Sequence, residues 1–500
     1  MSDALMGGAA WTFASKGFQA VVRIGTLAVL ARLISPTEFG YMAAVMTVVT
    51  IAETMAQIGL APALIQRRDI DRSDIVTAQT VALGLAVLLM AVVALAAAPL
   101  AALFQMPEIE PYMRLASLAF LFRGMAALSL ALVQRDLDFR RSALVQSVAS
   151  VLGYAAVVLP LALLGLGVWA LVWAMIAEAA VALVLFNWLR PAPLALGIHR
   201  ASLRKLLSFG VGDSLGQVVG RIAGEIDYVI VGRMLGADAL GIYSRAFQLV
   251  VGQTKRTGQA FQQVLYPVLA TIQDEPERLA SAYRRSMAGI FFGSTLLSVF
   301  VMWLAPYVVL VLLGEQWTAA ILPFAYLGIA IAPRSAIRVN GALLKATGRV
   351  YLLAWLRFTN ILWVVAGAWL GARLNGVDGV ALWISVAFWG YFVTMSMTTL
   401  RLNRVPVLTL LQCLQPALVA ALVMGGVIWA GDVLADLAGL GFWGRGGGRL
   451  IGAVLSLPVL ALVPAAVLGR DGAWLKDYFL KKLRKKLGRG GKGDRNGQAS

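Results

Sequence analysis

Two polar stripes on predicted helices carry the residue types best able to bind a charged ligand. The first stripe comprises Lys16, Gln19, Arg23 and Thr26, and the second comprises Asp213, Gln217, Arg221 and Glu225. Spacings of three and four residues place the members of each stripe on one side of a helix. Arginine holds phosphate through two parallel hydrogen bonds, so Arg23 and Arg221 are the foremost candidates to bind an anion.

Further polar residues on neighbouring predicted helices extend this candidate site. The set that we expect to line a basic, substrate-binding cavity is Arg23, Arg221, Lys255, Arg334, Gln57, Gln217 and Gln262. The candidates for ion coupling are Glu53, Glu178, Glu225 and Asp227, because proton relays in transporters use acids inside the membrane. A charged side chain at the bilayer centre costs on the order of 3 kcal/mol, so such residues face water or a partner.

Structural roles for several of these residues stay open. Lys16 and Arg334 are close enough to helix ends for their charges to reach the membrane surface. Glu225 or Asp227 can pair with Arg221 or Arg23 as a link between helices. Glu53 and Glu178 can likewise serve packing alone.

The elements that position these residues are transmembrane helices. Hydrophobic residues make up 60% of the 500 residues, charged residues 14%, and the mean hydropathy is +0.80, which excludes a soluble protein. Apolar runs long enough to cross a core of about 30 Å fall at residues 10–33, 39–65, 77–104, 112–133, 143–165, 168–188, 206–235, 240–270, 286–313, 320–344, 351–372, 378–400, 408–433 and 449–468. We therefore predict an all-α integral membrane protein with about 14 transmembrane helices.

An internal repeat relates the helices that carry the two stripes. The segment from Arg32 to Gly40 returns as Arg233 to Gly241, and later matches follow in the same order. Each copy holds six predicted helices, an even number, so the repeats are parallel. We expect Arg32 and Arg233, at helix ends, to serve this architecture rather than a ligand.

The repeat predicts five regions. Residues 1–189 form an N-terminal six-helix bundle, 190–205 a cytoplasmic connector, 206–401 a C-terminal six-helix bundle, 402–469 helices 13 and 14, and 470–500 a disordered basic tail. Loops after even-numbered helices carry seventeen Lys or Arg residues and the other loops six, so both termini are predicted to be cytoplasmic. The tail suits anionic lipid headgroups, and after Phe479 it has neither the aromatic residues nor the folded module that nucleic-acid binding needs.

Several segments resemble a known transporter family. Residues 31–40, 59–66, 226–233 and 240–244 are similar to the polysaccharide transporter branch of the multidrug, oligosaccharidyl-lipid and polysaccharide exporter superfamily, and the chain resembles bacterial lipopolysaccharide or O-antigen flippases. The resemblance implies transport of a glycan linked to undecaprenyl pyrophosphate across the bacterial inner membrane, by alternating access. Membrane lipids and a polysaccharide polymerase or export machinery are the implied partners. The family has no universal catalytic signature, so the site residues rest on the stripes.

Other functions are weighed against this resemblance. A lipid II flippase or a drug or cation antiporter of the same superfamily is the nearest alternative, and drug antiporters favour acidic rather than basic sites. An integral-membrane glycan polymerase or glycosyltransferase is more remote, because no predicted loop exceeds about twenty residues. The one histidine, His199, lies in the connector, which argues against a histidine-based metal site. We therefore expect a protein that is not an enzyme, with no cofactor and no metal.

Overall fold

Helices make up most of the described structure. The computed structural model describes residues 2–56, 64, 70–136, 138–193, 195–403, 406, 408–464, 467–469 and 471–477. Within these ranges, only the backbone is described at residues 2–10, 12–13, 205–216, 251–264, 350, 409 and 461. Over the described ranges there are helices and turns but no strand. The predicted all-α class is confirmed.

Most of the described helices are separated by only a few residues. The first half contains α1 (Ser2–Leu33), α2 (Pro36–Ala56), α3 (Arg72–Leu95), α4 (Ala97–Phe104), α5 (Ile109–Ala116), α6 (Leu118–Arg135), α7 (Phe139–Val148), a π-helix (Ala149–Ala155), α8 (Ala156–Leu163) and α9 (Val168–Leu189). The second half contains α10 (Arg200–Thr271), α11 (Pro276–Leu312), a 3-10 helix (Glu315–Ala320), α12 (Ile321–Ile329), α13 (Ile331–Ala346), α14 (Val350–Leu402), α15 (Leu408–Leu437) and α16 (Phe442–Leu462).

Two of these helices are too long to cross a membrane once. At 1.5 Å per residue, α14 would reach about 80 Å, well beyond a core of about 30 Å. Each is interrupted by a glycine with positive φ: Gly236 in α10 (φ 84°) and Gly376 in α14 (φ 59°). Both breaks lie between consecutive predicted spans. Eight helical stretches of the described residues are long and apolar enough to cross a membrane, and the total of fourteen stays a prediction.

The start of α2 shows how local sequence sets a helix boundary. Ser35 precedes Pro36, the first helical residue, whose missing N–H costs nothing at that position. The Glu38 carboxylate accepts from the Ser35 backbone N–H at 2.9 Å, and the Ser35 hydroxyl accepts from the Glu38 N–H at 3.3 Å. This capping box ends α1 and begins α2 within three residues.

The chain divides into two compact units. The first comprises residues 1–245, 308–320 and 364–380, and the second comprises 246–307, 321–363 and 381–500. Inside the second unit, Tyr283 donates to Asn340 at 2.7 Å and Asn340 donates to Ser396 at 2.8 Å, so these three buried side chains satisfy one another. The five regions predicted from the repeat describe sequence similarity and stay a prediction. Of the predicted tail, residues 471–477 are described, and Asp471 pairs with Arg284 at 2.9 Å.

Within the first unit, the two copies of the repeated segment pack against each other. A Cβ on Gly40 would overlap the Ala237 carbonyl, and a Cβ on Gly241 would overlap the Pro36 carbonyl. Gly40 corresponds to Gly241 in the repeat, and Pro36 to Ala237, so the contact is reciprocal. We call these four residues the glycine crossing. The backbones approach this closely because neither glycine has a side chain.

Arg32 and Arg233 flank the glycine crossing with matching contacts. Arg32 Nη2 donates to the Val311 carbonyl at 2.9 Å, and Arg233 Nη1 donates to the Leu103 carbonyl at 2.8 Å. Leu103 follows Pro99 and Val311 follows Pro306 by about one turn, at matching places in the two repeats. Each arginine therefore binds the end of a helix from the other copy, which agrees with the architectural role expected from the sequence.

Candidate functional site

Two arginine–glutamate pairs form one cluster inside the first unit. Arg23 Nη2 of α1 donates to Glu178 Oε1 of α9 at 2.6 Å. Arg123 of α6 pairs with Glu53 of α2. The Arg123 guanidinium also interacts electrostatically with Glu178 and Arg23. We call these four residues the charge cluster, because the two pairs share one electrostatic environment.

The charge cluster remains accessible. The side chains of Arg23 and Arg123 are 50% and 34% exposed, and those of Glu178 and Glu53 are 21% and 26% exposed. Among the described residues, Glu178 is the hydrogen-bond acceptor recorded for Arg23. The rest of the Arg23 guanidinium fork can therefore reach a ligand without first breaking a buried network.

A π-helix positions one further residue at the charge cluster. Tyr154 lies in the π-helix Ala149–Ala155, with its ring centroid 5.7 Å from the Arg23 guanidinium carbon. Its neighbour Gly153 packs against the backbone of α9, where a Cβ would come 2.5 Å from the Glu178 Cα. Because Gly153 has no side chain, the π-helix packs closely against α9, and Tyr154 and Glu178 both lie near Arg23. The sequence analysis missed Tyr154; the Gly-Tyr pair within an apolar run was the available signal.

Arg221, the second leading candidate, has different partners. Its Nη1 lies 3.6 Å from Glu225 Oε1, one turn later on α10, and its Nε donates to Thr54 Oγ1 at 3.3 Å. Thr54 follows Glu53 directly on α2, so Arg221 reaches the residue next to the charge cluster. Gln217 is exposed one turn before Arg221. The pairing of Glu225 with Arg221 was one of the structural roles left open by the sequence.

Asp227 lies in a more enclosed environment than the other acids. It is 3% exposed and accepts from the Tyr243 hydroxyl at 2.7 Å and from the Tyr228 backbone N–H at 3.1 Å. The two tyrosine rings meet edge to face, with centroids 5.7 Å apart. These hydrogen bonds stabilise a buried carboxylate.

Arg245 is a second residue that the sequence analysis did not select. It lies inside α10. Its guanidinium carbon stands 4.6 Å from the Phe39 ring centroid and interacts electrostatically with Tyr154 and Tyr228. The first unit is therefore more basic around Tyr154 than the stripes alone indicated.

The remaining candidates belong to the second unit or lie outside the described residues. Arg334 belongs to the second unit, where its guanidinium carbon lies 4.9 Å from the Phe247 centroid and 4.0 Å from the Phe388 centroid. The side chains of Lys255 and Gln262, and the whole of Gln57, lie outside the described residues. Over the described part of the chain, no group of three His, Cys, Asp or Glu residues could hold a metal ion. That these residues line one cavity stays a prediction.

Comparison with known proteins identifies relatives along most of the chain. A family model described as "Polysaccharide biosynthesis protein" matches residues 29–322. The lipopolysaccharide biosynthesis protein WzxC of Escherichia coli K12 is 23% identical over 386 residues, which cover 76% of this chain and 78% of the relative. The succinoglycan biosynthesis transport protein ExoT of Rhizobium meliloti is 26% identical over 428 residues, covering 84% of each chain.

A solved membrane protein shares the fold. The lipid II flippase MurJ, in an inward closed conformation, superposes with a TM-score of 0.71 over 90% of this chain and 97% of that chain. The two sequences are 12% identical over this region. This similarity concerns the fold alone.

Proposed function

Because the chain belongs to the polysaccharide biosynthesis protein family, we propose that it is a flippase for a lipid-linked oligosaccharide. Its substrate is a glycan on undecaprenyl pyrophosphate, which it moves across the bacterial inner membrane for polysaccharide or lipopolysaccharide synthesis. The relatives named for lipopolysaccharide synthesis and succinoglycan transport support this class of substrate. The chain is a multi-pass membrane protein, and we propose that both termini are cytoplasmic.

The charge cluster is the observation that carries this proposal. A pyrophosphate entering a low-dielectric path needs cations with several directed donors, and Arg23 and Arg123 provide them side by side. Glu178 and Glu53 pair with these guanidinium groups. The pyrophosphate displaces the carboxylates and takes over their hydrogen bonds.

This exchange also suggests a route for ion coupling. A carboxylate that loses its arginine in a membrane is costly to leave charged, because its solvation is poor there. Glu178 and Glu53 therefore bind a proton or a cation when the substrate arrives and release it when the substrate leaves. Arg221 and Glu225 act in the same way beside Thr54, while alternating access exposes the substrate head to opposite sides.

We propose that the protein moves the glycan without reacting with it, as a transporter rather than an enzyme, and without a cofactor. Its partners are membrane lipids and the polymerase or export machinery that receives the glycan. A lipid II flippase and a drug or cation antiporter are the alternatives that an experiment must separate. The charge cluster itself is neutral, with two arginines and two glutamates. Arg245 adds a third arginine near Tyr154, and this excess of positive charge favours an anionic substrate over a cationic drug.

A transport assay in proteoliposomes tests the proposal. The purified full-length chain is reconstituted with undecaprenyl pyrophosphate carrying a short labelled glycan, and exposure of the label on the opposite leaflet is timed. We expect transport by the wild type and at least about tenfold slower transport by Arg23→Ala, a change of about 1.4 kcal/mol.

Arg114→Ala is the matched control. Arg114 forms an exposed ion pair with Glu110 at 2.5 Å, outside the charge cluster, so its loss should leave the rate unchanged. Absence of transport of the glycan substrate, with transport of lipid II or of a cationic drug, would contradict the proposed substrate. Wild-type rates in Arg23→Ala would contradict the proposed site.

A further inference from the structure

A groove of about 530 Å³ lies between α1 and the α7–π-helix segment of the first unit. Its lining residues are Trp11, Ala14, Ser15, Phe18, Ala143, Leu144, Ser147, Val148, Val151 and Leu152. Those of α1 recur every three or four residues and therefore share one face of the helix. The volume is within the range of small-molecule sites, roughly 300–1,000 Å³.

Hydrogen bonds join the two helices at the floor of the groove. The Ser15 hydroxyl donates to the Ala143 carbonyl at 2.9 Å and lies 2.8 Å from the Ser147 hydroxyl. Gln19 donates to Ser15 at 2.9 Å. The few polar atoms of the groove are thus engaged with each other, and the surface offered to a ligand is apolar.

Exposed apolar side chains border the open side of the groove. Phe18, Leu144 and Leu152 are 51%, 45% and 57% exposed. Residues 143–152 lie within Phe139–Leu163, a stretch apolar enough to cross a membrane. A flexible hydrocarbon chain can therefore enter from the side, without passing through water.

Each end of the groove has a cation. At one end the Arg140 guanidinium carbon lies 5.0 Å from the Trp11 ring centroid. At the other end Arg23 follows Phe18 by five residues, about 7.5 Å along the helix, and Tyr154 follows Leu152 in the π-helix. The apolar groove and the charge cluster are therefore neighbours along α1 and the π-helix, with Arg23 on a different side of α1 from the residues that line the groove.

We propose that this groove binds the part of the polyprenyl chain next to the pyrophosphate. This inference rests on the proposed function and adds the position of the lipid tail. The occupant must be amphipathic, with an anion at one end of a long apolar chain, because the apolar groove neighbours the arginines of the charge cluster. The predicted orientation places the Arg140 end at the cytoplasmic face, so the chain enters from the cytoplasmic leaflet.

Photo-crosslinking of the full-length chain in nanodiscs tests the position of the tail. The probe is a polyprenyl pyrophosphate with a diazirine in its second or third isoprene unit, and mass spectrometry locates the adduct. We expect adducts on residues 11–18 and 143–152. Excess undecaprenyl pyrophosphate should remove them, whereas excess phosphatidylglycerol should not.

Two leucine-to-tryptophan substitutions provide the matched variants. Leu152→Trp fills the groove, while Leu163→Trp changes a 70% exposed leucine that does not line it. Each buried methylene contributes about 0.8 kcal/mol, so displacing two of them should weaken binding of the long-chain probe about tenfold. Binding of a pyrophosphate with a single isoprene unit should be unchanged in both variants.

The possible outcomes distinguish failure of the proposed lipid-tail site from failure of the proposed transport function. Adducts outside the groove in a wild-type protein that transports the glycan would overturn the groove and leave the proposed function intact. Adducts removed equally well by phosphatidylglycerol would show a site for bulk lipid and would also overturn it. A protein that neither binds the pyrophosphate probes nor transports the glycan would refute the proposed function instead.

Discussion

Two pairs of arginines from the repeated helices bind different kinds of partner. Arg32 and Arg233 donate to backbone carbonyls, whereas Arg23 and Arg221 pair with the carboxylates of Glu178 and Glu225. A carbonyl in a helix end cannot rotate away or bind a proton, but a carboxylate can do both. The difference separates arginines that hold the architecture from arginines able to exchange a carboxylate for a substrate anion.

The glycine crossing and the charge cluster also differ in how well they keep the symmetry of the repeat. At the glycine crossing, Thr37 donates to Asp238 at 3.4 Å, and these residues occupy equivalent positions 201 apart. At the charge cluster the equivalence is lost, because the position that matches Arg23 is Gly224. The repeat therefore preserves its symmetry where the copies pack, while its polar residues have diverged where we propose that the substrate binds.

The largest effect is expected at the glycine crossing. Gly40→Ala and Gly241→Ala each place a methyl group on a backbone carbonyl, so we expect a loss of about 3 kcal/mol in the free energy of unfolding. Heating in detergent followed by size-exclusion chromatography measures the folded fraction. Gly224→Ala, with no atom within 4 Å of the new Cβ, is the control. If all three variants were equally stable, the close backbone contact at the glycine crossing would not contribute to stability.

A charge reversal tests whether Arg23 and Glu178 do more than pair. The double variant Arg23→Glu/Glu178→Arg restores an ion pair, and we expect its stability to return to within about 0.5 kcal/mol of wild type. Transport should remain at least about tenfold slower, because the guanidinium has moved to α9. The folded fraction and the proteoliposome rate are measured on the same sample. Full recovery of transport would show that the Arg23–Glu178 ion pair has only a structural role.

A smaller effect is expected from the two architectural arginines. Arg233→Ala removes one charged hydrogen bond to a carbonyl in an exposed setting, which should cost about 1 kcal/mol of stability. Arg32→Ala removes two, to Val311 and to Ala28, so its loss should be at least as large. Thermal unfolding measures the losses, and transport per folded molecule should match wild type. Slower transport by the folded fraction would assign these arginines to the substrate path as well.

The smallest effect is expected for Thr37→Val. The contact with Asp238 is long and exposed, so we expect a change below about 0.5 kcal/mol in unfolding and none in transport. The same thermal assay applies, with Gly224→Ala as a reference. A change comparable to that of Gly40→Ala would show that the crossing depends on this hydrogen bond rather than on backbone contact.

Much of the fold follows from local chemistry, and much of the site does not. The break at Gly236 lies between two predicted spans, and the capping box at Ser35 and Glu38 begins α2. The sequence also singled out Arg23, Glu53 and Glu178 as polar residues in apolar helices. Which acid faces which arginine depends on how α1, α2, α6 and α9 pack, and no spacing within one helix specifies that.

The sequence by itself determined the membrane class, the repeat and the residues that must find partners, because hydropathy and helical periodicity are local properties. Only the tertiary structure decided that Arg23 meets Glu178 and Arg123 meets Glu53. It also brought the Tyr154 ring to Arg23 and placed the groove near the charge cluster. These pairings join residues up to 155 positions apart, so they depend on long-range packing rather than on local sequence.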